Sequence, residues 1–129
     1  MNKRIAQSAA ILFAALSIAP FAYAAGPMAD KDGKVLYTYS DDTEGKSACD
    51  KDCLKMWHPV EGKKEDKMGM GWTVFERGDG MMQRAYNGKP VYHYVGDKAK
   101  GDALGQLLDS DGVTLHEMGQ SGAFQTIQE

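Results

Sequence analysis

Two cysteines, three histidines and eight methionines are the side chains with the most chemistry to offer. Cys49 and Cys53 are four residues apart, so on a helix they share one face with Cα atoms about 6 Å apart, within reach of a disulfide. A structural disulfide is the leading expectation. A thioredoxin-like redox pair would have two intervening residues rather than three, although Cys49 near a helix N-terminus would gain thiolate character if reduced. Thioether and imidazole ligands suit copper. Met82, His93, His58 and Met81 are the candidates for such a site, with Met68 and Met70 as further possibilities. The competing reading is that methionines fill irregular gaps in a small core, and the first expectation is no metal and no cofactor.

The acids point to turns before they point to catalysis. Asp42 and Asp97 each follow a strand-like run and have Gly within four residues, a setting in which Asp accepts backbone N–H groups. Asp109-Ser110-Asp111-Gly112 shares the start of a calcium loop but lacks its third acid and its closing Glu, so it reads as a turn. The chain has no nucleophile elbow, zinc-protease helix, phosphate loop or dinucleotide fingerprint. His116 has no Cys or Ser near it in sequence. A non-enzymatic protein is expected.

The elements that must position these groups begin with a leader. Met1–Arg4 is basic, Ile5–Ala19 is apolar or small apart from Gln7 and two serines, and Ala22-Tyr23-Ala24 offers small residues for cleavage. Residues 1–24 therefore read as a signal peptide cut after Ala24, too short in its apolar run for a membrane span. The domain expected to remain is 25–129, exported to a periplasm or the medium, with the periplasm preferred. Removal takes Lys3 and Arg4 and no acid, so the domain is more acidic than the formal −3 of the whole chain. That balance argues against nucleic acid and anionic membranes as partners. A monomer without an integral membrane segment is expected, held by one small core and, in an oxidising compartment, by its disulfide.

An internal repeat organises the domain. Residues 33–42 (GKVLYTYSDD) and 88–97 (GKPVYHYVGD) share the pattern G-K-x-[LV]-Y-x-Y-x-x-D at an offset of 55 residues. Period-two alternation puts Tyr37 and Tyr39 on one strand face, and likewise Tyr92 and Tyr94. Strands are also expected at 72–77 and 81–86, and Asn87-Gly88 signals a two-residue type I′ hairpin leading into a third strand at 89–95. Counted back from that turn, the register sets Met82 opposite His93, a possible start for a copper site. Further strands are expected at 113–118 and 123–127. One short helix is expected at 48–57, opened by Ser47-Ala48-Cys49-Asp50 and closed by Pro59, and a helical turn at 98–108. Residues 61–70, charged and containing Gly and Met, read as a mobile loop. The fold class is mainly β: a small antiparallel sheet domain of two related halves with one short disulfide-bearing helix.

These residues together resemble the bacterial "secreted repeat of unknown function" proteins, described as predicted lipoproteins with a Y-x-[FWY]-x-x-D motif. The resemblance is carried by Leu36–Asp42, Cys49, Cys53 and Trp57-His58-Pro59 in the first unit. In the second it rests on Arg77–Gly80, Gln83, Tyr86–Tyr94, Asp97 and Gly101-Asp102. Many members carry a lipid-anchor box after the leader, which this chain lacks, and often a Trp-Pro-Pro run, which His58 interrupts here. The resemblance implies an exported, β-rich domain and no established activity. The function expected is an exported binding or interaction module of unknown ligand, with a copper-binding or redox protein as the alternative.

Overall fold

The structure, a computed structural model, describes residues 26–112 and 122–128. The leader, the strand expected at 113–118 and His116 lie outside the described residues. The described elements are β1 (Tyr37–Tyr39), α1 (Cys53–Met56), β2 (Trp57–Pro59), β3 (Trp72–Glu76), β4 (Met82–Tyr86), β5 (Lys89–Pro90), β6 (Tyr92–Tyr94) and β7 (Phe124–Thr126). They form two antiparallel sheets, one of four strands ordered β2-β6-β1-β7 and one of three ordered β3-β4-β5. The mainly β class and the short disulfide-bearing helix are therefore as expected, but the sheet is not a single one.

The four-stranded sheet has a two-fold internal symmetry that follows from the repeat. Its central pair joins β1 to β6 with Tyr37 opposite Tyr92, the equivalent residues of the two copies. Outward from there, Tyr39 pairs with Phe124 and Tyr94 with Trp57, Thr38 with Gln125 and His93 with His58, Tyr37 with Thr126 and Tyr92 with Pro59. Flanking bonds repeat the relation, since Val60 N donates to Val91 O and Ile127 N to Leu36 O. Alternation along each strand sends the motif tyrosines to one face, where Tyr37, Trp57, Tyr92 and Phe124 are wholly buried with Cys49 and Cys53. Leu36, Val91 and Ile127 form a second cluster with Trp72 and Tyr86 packed against it.

The hairpin turn forms as the sequence dictates. Asn87 and Gly88 both have positive φ, at 49° and 80°, which type I′ geometry requires, and Tyr86 pairs with Lys89. The strand then leaves its neighbour sooner than expected. Pro90 has no N–H for the ladder; Val91 N donates to Arg84 O, while Val91 O accepts from Val60 N. From Tyr92 onward the chain belongs to the other sheet. The single third strand at 89–95 is therefore two strands, β5 and β6, in different sheets.

The helix expected at 48–57 shrinks to Cys53–Met56. Ser47 does not cap it; its hydroxyl accepts from Cys49 N and from Arg77 and meets the hydroxyl of Tyr92. Asp52 stands at the N-cap without a side-chain cap bond, its carboxylate held by Lys55. Trp57 leaves the helix because its ring fills the core, stacked face to face on Phe124 at 3.6 Å between centroids. The expected helical turn at 98–108 is a run of turns instead. Residues 62–71 form neither helix nor strand.

Candidate functional site

The first tyrosine and the aspartate of each motif are joined across the repeats. Tyr37 of the first copy donates its hydroxyl to Asp97 Oδ2 of the second at 2.7 Å, and Tyr92 of the second donates to Asp42 Oδ2 of the first at 2.7 Å. The second oxygen of each carboxylate accepts a backbone N–H further along its own copy: Ala48 N to Asp42 Oδ1 at 2.6 Å and Leu104 N to Asp97 Oδ1 at 2.8 Å. Each aspartate thus closes its own loop and clasps the other half's tyrosine. Burial, then the hydrogen bond to Asp97, holds the Tyr37 phenol well above its ordinary pKa; burial, then the charge of Asp42, does the same for Tyr92. Burial also raises Asp42, and the bonds from Ala48 N–H and the Tyr92 hydroxyl only partly offset it.

The two clasps differ in what lies behind them. Tyr37 Oη also accepts from Gly105 N. Tyr92 joins a buried polar network centred on Arg77, which donates to Ser47 Oγ, Gln83 Oε1 and Cys49 O. Gln83 Nε2 in turn donates to Val91 O. Arg77 therefore ties the second unit to the segment that leads into the disulfide, and with Nε paired to Asp79 at 3.2 Å every nitrogen of its desolvated guanidinium has a partner. Cys49 and Cys53 are bonded to each other with Cα atoms 5.3 Å apart, and the described residues hold no free cysteine.

This scaffold presents two related clefts. One, of about 310 Å³, is lined by Lys34, His58, His93, Tyr94, Val95 and Asp97, with Val35 and Lys98 completing it. The other, of about 280 Å³, is lined by Lys89, Gln125, Thr38, Tyr39, Ser40 and Asp42, with Ala123 beside them. The first six residues of each correspond one for one under the internal two-fold. The same repeat positions thus build a cleft in each half, one with two imidazoles and one with a threonine and a glutamine in their place.

The histidine-lined cleft carries the more distinctive chemistry. His58 is exposed on β2 and lies directly opposite His93 of β6. His93 is partly buried, and its Nε2 lies 2.9 Å from Asp30 Oδ2. Burial lowers the His93 pKa, with Asp30 opposing that shift and Lys34 and His58 adding to it. Asp30 is held below the ordinary carboxylate range: burial works to raise it, but the N–H groups of Lys34 and Asp32 and the contact with His93 outweigh burial. Asp30 escaped the sequence reading because nothing local marks it. The His58–His93 juxtaposition escaped it too, since it needs a pairing between strands 35 residues apart.

The Met82–His93 neighbourhood expected from the hairpin does not form. Met82 pairs with Glu76 on β3, whereas His93 has moved to the other sheet. Met81 and Met82 line a separate cleft of about 560 Å³ with Glu61, Lys63, Asp66 and Arg84. That cleft is larger, but Arg84 and Asp66 pair within it at 3.0 Å. Two of its charges are thereby committed to each other. Among the described residues no group of three or more His, Cys, Asp or Glu side chains is arranged to enclose a metal ion.

A β-sheet domain of two clasped repeats, with a disulfide in its core, is the class these features define. The family described as "secreted repeat of unknown function" matches residues 25–61 and 73–110, one copy of the Tyr-x-Tyr motif in each and more than half of the chain together. The chain belongs to that family. No curated protein and no solved structure matches it. Family and disulfide both agree with an extracytoplasmic location. Among the described residues no helix is long and apolar enough to cross a membrane.

Proposed function

We propose that this protein is an exported, non-enzymatic binding module whose ligand enters the cleft between Lys34, His58, His93 and Lys98. The observation that carries the reading is the division of labour within the repeat. The first tyrosine and the aspartate of each motif are spent on clasping the halves, whereas the residue between the tyrosines faces a cleft and differs between the copies, Thr38 in one and His93 in the other. A rigid sheet with polar side chains presented from strands is a suitable platform for recognition, since its donors are positioned before the ligand arrives. Small, partly open and polar, the cleft suits a small polar ligand better than an apolar one.

The reading is tested by titrating the isotope-labelled protein with a library of small polar fragments and mapping amide shifts. Shift changes should gather at Lys34, His58, His93 and Lys98. Fragments that bind only elsewhere, or a library that perturbs neither cleft, would contradict it.

A further inference from the structure

We infer that His58 and His93 form a two-imidazole site for a divalent late first-row metal ion, Cu²⁺ or Zn²⁺, with Asp30 as the residue that orients His93. The inference rests on the binding reading above and names its ligand class.

The geometry comes from sheet register. Directly opposed residues of an antiparallel pair share a face with Cβ atoms about 5 Å apart, and β2 and β6 oppose His58 and His93. Two imidazoles so placed can each give one nitrogen to a single ion, leaving its other positions to water. Side chains on strands are better fixed than side chains on loops, so little ordering is required when the ion binds. Both rings line the same cleft, which opens to solvent and gives the ion a way in.

Asp30 supplies what a ligating histidine ordinarily has. A carboxylate on the far ring nitrogen fixes the tautomer and raises the basicity of the nitrogen that binds. Nε2 of His93 is buried 2.9 Å from Asp30 Oδ2, close enough to pair though not aligned as a hydrogen bond, which leaves Nδ1 as the donor for the ion. The carboxylate is itself held by the backbone N–H groups of Asp32 and Lys34, so its position is set by the turn. Lys34 and Lys98 in the cleft wall are matched by the carboxylates of Asp30 and Asp97, so cation binding meets no net positive charge.

Imidazole nitrogen suits both ions, and the ordinary order of affinities puts Cu²⁺ first. The opposite cleft provides an internal control, because Thr38 and Gln125 stand where the histidines would be.

The test uses the exported protein, stripped of metal with a chelator and titrated calorimetrically with CuCl₂ and with ZnCl₂. One ion should bind per chain. His58→Gln and His93→Gln should each weaken binding of both ions by at least about tenfold and Asp30→Asn by about tenfold, whereas Thr38→Ala should leave it unchanged. Electron paramagnetic resonance of the Cu²⁺ form should show coupling to two imidazole nitrogens in the wild type and one in His58→Gln. His58 is exposed, so that variant tests the site even if His93→Gln fails to fold. No ion bound to the wild type, or binding that both histidine variants leave intact, would overturn the inference. If fragments still perturb the cleft in that case, the binding reading stands and the metal alone is discarded.

Discussion

The two halves of the four-stranded sheet match where they touch each other and differ where they meet solvent. Tyr37 and Tyr92, Asp42 and Asp97, and the stacked Trp57 and Phe124 occupy equivalent places and form equivalent contacts. Tyr37 packs edge-on to Trp57 at 5.2 Å, and Tyr92 edge-on to Phe124 at 5.3 Å. The cleft positions diverge instead, His93 against Thr38 and His58 against Gln125. The difference separates two pressures on one motif. Its fixed positions hold a fused pair of repeats together, and its variable position between the tyrosines is where the halves take on separate tasks.

The largest effects should come from the symmetry axis. Trp57→Ala and Phe124→Ala each remove a wholly buried ring that stacks on the other. Each should destabilise by about 3–5 kcal/mol in urea unfolding. Similar losses for the two would support equivalent roles, and a tolerated Phe124→Ala would break the comparison, because the four-stranded sheet would then be anchored from one half alone.

The clasps come next, and here the halves should part. Asp97→Ala leaves the Tyr37 hydroxyl without its acceptor and orphans Leu104 N–H, at about 1–3 kcal/mol. Asp42→Ala should fall lower in that range, for two reasons. The Tyr92 hydroxyl keeps Ser47 as a partner. Asp42 also has a folded pKa above its unfolded one, so its contribution is greatest below the ordinary carboxylate range and declines as pH rises through it. Equal losses at neutral pH would contradict this asymmetry.

A smaller effect separates the clasped tyrosines from the rest. Tyr37 and Tyr92 have phenol pKa values raised in the fold, so the unfolded chain loses its phenolic protons first. Their contribution is intact below about pH 10 and is lost as pH climbs above it. The urea midpoint should fall across that window in the wild type and fall less steeply in the Tyr37→Phe, Tyr92→Phe double variant. A slope unchanged by both substitutions would place the alkaline sensitivity elsewhere.

What could be read from sequence was whatever a few neighbouring residues decide. Asn87-Gly88 accept the positive φ values of their turn with no help from the rest of the chain, and the alternation of Tyr37 with Tyr39 marks a strand with one core face. Where two distant segments compete for the same group, local reading failed. Ser47 has the side chain of a helix cap, but Arg77 and Tyr92 take it, so the helix begins later, at Cys53. The chain after Pro90 fits the hairpin's register, but β1 and β2 offer Tyr92 a buried place between them, and the strand crosses to their sheet. The candidate site failed with it. His93 was only an alternative candidate ligand in the sequence, and its cross-strand neighbour proved to be His58 and not Met82, because the partner was set by that crossing.

The first tyrosine of each motif, Tyr37 or Tyr92, acts on the opposite repeat's aspartate, and double-mutant cycles on stability test this most directly. Tyr37→Phe combined with Asp97→Ala, and Tyr92→Phe combined with Asp42→Ala, should show coupling of about 0.5–3 kcal/mol. The same-repeat combinations, Tyr37→Phe with Asp42→Ala and Tyr92→Phe with Asp97→Ala, should add to within about 0.5 kcal/mol. Coupling confined to the same-repeat pairs, with additivity across the repeats, would contradict the crossed clasp and with it the reading of the motif as the joint between the halves.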